Sequence, residues 1–151
     1  GGVFLSTDNG SNWVAVNSGL PCPGNCGIYS LAISGTNIFA GTEGLGVFVS
    51  SNNGSSWSAT GVMSFPLTFV LALAISGTNL FAGTFGGVFV STNNGTNWTQ
   101  ENAGLNDTLV ASLALNATTV FAGTSPGGVY KRQLSEITGI EEQGDGFISN
   151  I

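Results

Sequence analysis

Charge is nearly missing from this chain. Only 7% of its 151 residues are Asp, Glu, Lys or Arg, against roughly 25% in ordinary soluble domains, so Ser, Thr, Asn and backbone must solvate the surface. Lys131 and Arg132 are the only two basic residues, and with eight acids the net charge is −6. No positive patch exists to neutralise phosphates, so nucleic acid and anionic membranes are excluded as expected partners. Histidine is absent, which removes the commonest general base and metal ligand. The two cysteines, Cys22 and Cys26, lie in Pro21-Cys22-Pro23-Gly24-Asn25-Cys26. With no His or further Cys they cannot complete a tetrahedral zinc site, and they read either as a small loop disulfide in an exported protein or as free thiols. We expect no metal and no cofactor. No run approaches the ~18 to 20 apolar residues of a membrane-spanning helix, so no membrane insertion is expected. The opening Gly1-Gly2 carries neither initiator Met nor signal peptide, as in a processed or excised piece.

Glycine, by contrast, is abundant at 24 residues, and much of it sits in a repeat. Gly2-Val3-Phe4-Leu5-Ser6-Thr7-Asp8-Asn9-Gly10-Ser11-Asn12-Trp13 recurs from Gly46 to Trp57 and from Gly87 to Trp98, so the tryptophans are 44 and then 41 positions apart (57 − 13 and 98 − 57). A degraded copy opens at Gly128-Val129-Tyr130. Between these segments a second unit recurs, starting at Leu31, Leu73 and Leu113 and ending in Phe-Ala-Gly-Thr at Thr42, Thr84 and Thr124. Self-similarity at this period signals a repeat architecture.

Each repeat holds four short strand candidates. Tyr29, Leu31 and Ile33 alternate with Ser30, Ala32 and Ser34, a period of two with large side chains on one face and small on the other. Gly-rich turns separate the candidates, and the Asn-Gly pairs mark hairpins because both central residues tolerate positive φ. Four antiparallel strands per roughly 40 to 45 residues make the blade of a β-propeller. The alternation suits a blade sandwiched between two neighbours. The expected fold is therefore all-β: blades of 41 to 44 residues forming an incomplete ring of about three to four. A β-solenoid is the runner-up, and its repeats are usually shorter. The blades fill 1–133, with a partial blade at 2–17, blades at 28–59 and 69–101, and a partial blade at 109–133; an acidic, flexible linker follows over 134–151.

The segment ending in Trp resembles the BNR or Asp-box repeat of sialidase-like propellers and of the related photosystem II assembly-factor-like and sortilin-like propellers. Ser6, Asp8, Gly10 and Trp13 match its Ser-x-Asp-x-Gly-x-x-Trp pattern fully. Ser50, Asn52, Gly54 and Trp57, and Ser91, Asn93, Gly95 and Trp98, match it with Asn in place of Asp; an Asn oxygen still accepts a turn N–H, though more weakly than a carboxylate. The resemblance implies a structural role: the Asp or Asn ties up turn amides, the Gly supplies positive φ, and the Trp clamps the blade's outer corner. It also implies that the boxes sit on the periphery, so they speak to fold rather than to activity. Ile137-Thr138-Gly139-Ile140-Glu141-Glu142 resembles the linker preceding the C-terminal sorting domain of bacterial type IX secretion substrates, which implies an extracellular or cell-surface bacterial protein trimmed near residue 151. In such bacteria an Asp-Ser/Thr-apolar triplet is an O-glycosylation acceptor, which makes Thr108 of Asp107-Thr108-Leu109 a candidate.

Enzyme chemistry is not expected. Sialidase-like hydrolysis, as the family implies it, needs several arginines, a Tyr nucleophile with a carboxylate partner, and an acid. Here Arg132 is the one Arg, and Tyr29 and Tyr130 are the two Tyr. The acids within the repeats, Asp8, Glu43, Glu101 and Asp107, stand at unrelated positions and do not form the flanking pair of a glycosidase. A Ser or Cys nucleophile would have no His beside it.

Loops that differ between repeats are where ligands are usually met. Val62, Met63, Phe65 and Pro66, with Phe69 beyond, form an apolar loop cluster that reads either as packed between blades or as a contact surface. Splicing the chain ends would close only three blades, below the roughly four to eight of propellers. Open blade edges are templates for association. The expected function is a secreted or surface-attached, non-catalytic propeller module that binds protein or glycan or assembles with its own copies. The alternative is a fragment of a sialidase-like glycoside hydrolase whose catalytic residues lie in missing blades.

Overall fold

Each copy of the repeat folds as one antiparallel sheet in the computed structural model, which describes residues 1–21, 27–63 and 69–138. The first blade is a hairpin of β1 (Phe4–Leu5) and β2 (Val14–Ala15). The second is a four-stranded meander of β3 (Ile28–Ser34), β4 (Asn37–Thr42), β5 (Val47–Ser50) and β6 (Ser58–Ala59). The third repeats it with β7 (Val70–Ser76), β8 (Asn79–Thr84), β9 (Gly87–Ser91) and β10 (Thr99–Gln100). The fourth has three strands, β11 (Val110–Leu115), β12 (Thr119–Thr124) and β13 (Gly128–Gln133), followed by the helical turn α1 (Leu134–Thr138).

Sheet-to-sheet contact runs chiefly through β3, β7 and β11, so these first strands lie where the sheets converge and the later strands fan outward. The chain is a β-propeller arc. A register shift recurs at the start of each first strand, between Ile28 and Ser30, Val70 and Ala72, and Val110 and Ser112. Such a bulge adds twist, which sheets fanning from a common axis require. The Gly of the Phe-Ala-Gly-Thr strand in the second and third blades permits the convergence. A Cβ on Gly41 would lie 2.8 Å from the Val70 carbonyl oxygen, and one on Gly83 would lie 3.0 Å from that of Val110. Glycine is there because the next blade's first strand passes against its Cα.

The core is a set of three equivalent inter-blade clusters rather than one central mass. Between the first and second blades lie Val3, Ala40, Phe48 and Trp57; between the second and third, Val47, Ala82, Phe89 and Trp98. Between the third and fourth lie Val88, Val120 and Ala122. Leu73 and Ile75, the large face of β7, pack toward the second blade. On β3 the corresponding Leu31 and Ile33 are open to solvent, Ile33 at 68%, and so is Val129 on the far side of the fourth blade, at 76%. The arc is therefore not a closed ring.

The tail departs from its expected course at its start. Residues 134–138, read as the beginning of a flexible linker, form α1, whose Leu134 and Ile137 pack onto the last cluster. Two apolar residues three apart share one face of a helical turn, and here that face has a surface to cover. Residues 139–151 lie outside the described residues.

Candidate ligand-binding face

The three Ser-x-Asp/Asn-x-Gly turns share one hydrogen-bond pattern. The Ser6, Ser50 and Ser91 hydroxyls accept the N–H of Gly10, Gly54 and Gly95, each at 2.8 Å. They donate to Asp8 Oδ1 at 2.8 Å and to Asn52 Oδ1 and Asn93 Oδ1 at 2.9 Å. Those same Oδ1 atoms accept the N–H of Asn12, Ser56 and Asn97, each at 2.9 Å. Asn9-Gly10, Asn53-Gly54 and Asn94-Gly95 all take positive φ, the type of corner a tight hairpin requires. Hydrogen bonds, first of all from the Asn12 side chain, hold the Asp8 carboxyl below its usual pKa.

The tryptophans do something the repeat pattern alone does not show. Rather than clamping the corners of their own blades, Trp57 and Trp98 reach the blade before. Trp57 Nε1 donates to the Val16 carbonyl at 2.7 Å and Trp98 Nε1 to Thr60 Oγ1 at 3.3 Å. Both indoles are buried, at 5% and 7% exposure, whereas Trp13 is 63% exposed. In each repeat the turn joins the third strand to the fourth, at the end of the sheet opposite the connector that leads to the next blade.

That connector end carries the most distinctive chemistry. Tyr29 is the second residue of β3, Phe69 immediately precedes β7, and Phe85 occupies the β8–β9 turn. Their rings form a row: Tyr29 and Phe69 have centroids 6.5 Å apart, and Phe69 and Phe85 are stacked at 4.9 Å with 14° between planes. Tyr29 and Phe85 are about half exposed, at 48% and 45%. Glu43 closes one end of the row, since a Cβ on Gly27 would touch both its carboxylate and the Tyr29 ring. Partial desolvation, and then the Glu43 charge, raise the Tyr29 phenol above its usual pKa. Leu45, also half exposed, stands in the same β4–β5 turn.

The residues singled out in the sequence scatter around this row. Val62 is 89% exposed, while Met63 is buried in the second inter-blade cluster, so Met63 is core and not part of a contact surface. Phe65 and Pro66, and likewise Cys22 and Cys26, lie outside the described residues. Thr108 is exposed, and its neighbour Asp107 accepts a hydrogen bond from the Tyr130 hydroxyl at 3.1 Å, which raises the Tyr130 phenol. Glu101 pairs with Arg132 at 3.3 Å. Glu43, Glu101 and Asp107 are thus spread over different blades, and among the described residues no three metal-type ligands converge. Phe85 was missed in the sequence. Its signal is that it replaces a polar turn residue, standing where the flanking repeats have Glu43 and Ser125.

No protein-family model matches the sequence, and no curated protein matches it. Solved structures do. The chain is similar to the extracellular domain of the putative hybrid two-component system BT4673 from B. thetaiotaomicron, with a TM-score of 0.70, 18% identity, and coverage of 86% of this chain and 18% of that one. It is similar to an ancestral GH74 enzyme, with a TM-score of 0.66, 26% identity, and coverage of 86% and 20%. It is also similar to PorZ, a surface component of the type IX secretion system of Porphyromonas gingivalis, with a TM-score of 0.58, 18% identity, and coverage of 76% and 19%. The chain spans about a fifth of the length of these structures. The likeness is one of fold, over a few blades of larger β-propeller-type proteins.

Proposed function

We propose that this chain is an exported, non-catalytic β-propeller module that binds an extracellular glycan through the Tyr29–Phe69–Phe85 row. The row carries the reading. The half-exposed rings at the two ends of the stack, Tyr29 and Phe85, offer aromatic surface to the apolar C–H face of a sugar ring, and Glu43 supplies a hydrogen-bond acceptor at its edge. A surface with so few charges, rich in Ser, Thr and Asn, suits a neutral saccharide better than a charged ligand. Export is supported by the extracellular and surface settings stated for two of the similar structures. Protein ligands and association with other copies of this chain belong to the same reading, because the β3 and β13 faces at the two ends of the arc are open.

A glycan array with a hydrolysis control tests it. The expected result is binding without turnover, reduced at least about tenfold in Phe85→Ala, the size of loss that removal of a buried anchor produces. Turnover of a bound glycan would favour the alternative, a piece of a glycoside hydrolase, which the GH74 similarity keeps open. Binding unchanged in Phe85→Ala would remove the row from the proposal.

A further inference from the structure

The junction between the third and fourth blades contains a cavity of about 210 Å³ lined by Val88, Glu101, Leu105, Ala122, Tyr130 and Ile137, among others. Counting along the repeat explains it. Val88 corresponds to Val3 and Val47, Ala122 to Ala40 and Ala82, Tyr130 to Phe48 and Phe89, and Leu105 to Leu20. These are the residues that share clusters with Trp57 and Trp98 in the other two junctions. In the fourth repeat the position 41 residues after Trp98 is Gly139. The cavity is lined by the counterparts of the residues that surround Trp57 and Trp98, and its own repeat has no tryptophan at the corresponding position.

Two further details agree. A Cβ on Gly19 would collide with the Trp57 carbonyl, while one on Gly104, the corresponding glycine on the rim of the cavity, has nothing within 4 Å. Glu101 stands at the position of Val16 and Thr60, the residues whose oxygens accept the indole N–H of Trp57 and Trp98. At the third junction that acceptor is a carboxylate, held by Arg132 at 3.3 Å. A carboxylate makes a stronger, charge-assisted hydrogen bond to an N–H donor than a neutral oxygen does. The same chain carries the counterpart, since Trp13 has the fully matched turn behind it and is 63% exposed.

We propose that the cavity is an indole-binding socket and that its occupant is Trp13 of a second copy of this chain, giving head-to-tail association. The indole would take the place at the third junction that Trp57 and Trp98 take at the other two, supplied by the first blade of the second copy, and a heterologous contact of this kind extends to rings or filaments. This deepens the self-association part of the proposed function and is independent of the aromatic row.

The test is sedimentation velocity of the full chain over a wide concentration range, with free indole as competitor. The wild type is expected to associate with rising concentration. Trp13→Ala, Ala122→Leu, which fills the socket floor, and Glu101→Lys, which removes the rim acceptor, should each weaken association at least about tenfold. Circular dichroism of each variant establishes that it is folded. Indole is expected to dissociate the wild-type assembly, and 1-methylindole, lacking the N–H, to do so less well. A wild type that stays monomeric throughout would overturn the proposal. So would association undiminished in Trp13→Ala, or indifference to indole. Phe85→Ala should leave association unchanged, which separates failure here from failure of the glycan reading.

Discussion

The same substitution made at three copies of one repeat isolates what burial between blades contributes. Trp57 and Trp98 are 5% and 7% exposed and Trp13 is 63% exposed, although all three follow nearly identical turns. A buried Trp removes about 200 Å² from water, and at about 25 cal/mol per Å² that is roughly 5 kcal/mol. Trp→Ala in a packed site costs about 3 to 5 kcal/mol once partial collapse is included. Trp13 has little more than a third of its surface covered, which by area caps its contribution near 2 kcal/mol. Part of that cover is its own turn, since a Cβ on Gly10 would lie 3.8 Å from its ring, and such local contact partly survives unfolding. We therefore expect Trp57→Ala and Trp98→Ala to destabilise by about 3 to 5 kcal/mol and Trp13→Ala by about 1 kcal/mol. The assay is urea denaturation followed by far-UV circular dichroism at dilute protein, because each substitution removes a different one of the three Trp fluorophores. If Trp57→Ala or Trp98→Ala proves unfolded, Trp57→Phe and Trp98→Phe supply graded values. Costs equal within 1 kcal/mol at all three sites would refute the argument that these indoles join neighbouring blades.

Other expectations follow from single contacts. Gly83→Ala should cost about 1 to 3 kcal/mol by overpacking against the Val110 backbone, and Gly123→Ala less, because its Cβ meets chiefly the rotatable Ser112 side chain; thermal melts of the pair check this. Ser50→Ala leaves the buried Gly54 N–H without its acceptor and should cost about 1 to 3 kcal/mol. Ser6→Ala, which removes the equivalent but solvent-exposed hydrogen bond from Gly10, should cost well under that, as read from urea midpoints. Because hydrogen bonding lowers the folded pKa of Asp8, its contribution is present above the unfolded carboxylate pKa and is lost as pH falls through the lowered folded value. Asp8→Asn, which makes the first turn like the other two, should flatten that acid limb in a urea-midpoint series from neutral to acid pH.

Much of the fold was legible in the sequence because its determinants are local and repeated. The Asn-Gly turns, the Phe-Ala-Gly-Thr strands and the large/small alternation of β3 and β7 place strands and hairpins without tertiary information. The fourth blade was recognisable from the Leu113 to Thr124 unit and from Gly128-Val129-Tyr130. The aromatic row was not legible, because Tyr29, Phe69 and Phe85 come from two blades and approach only when β3 and β7 lie side by side. The sequence left Met63 open between packing against a blade and a contact surface, since an apolar loop residue looks the same whether it faces solvent or a neighbouring sheet.

What the sequence determined by itself is the identity of each unit: strand order, turn type and the period at which they recur, all set by backbone propensity and contacts a few residues apart. What only the tertiary structure decided is how the units meet. A single sheet does not specify which neighbour covers which face, so the partner of each Trp, the crowding at Gly41 and Gly83, and the socket beside Glu101 exist only once blades are stacked. The indole at one repeat completes the core of the blade before it, and its hydrogen bond reaches across 41 residues for Trp57 and 38 for Trp98, between two separate sheets.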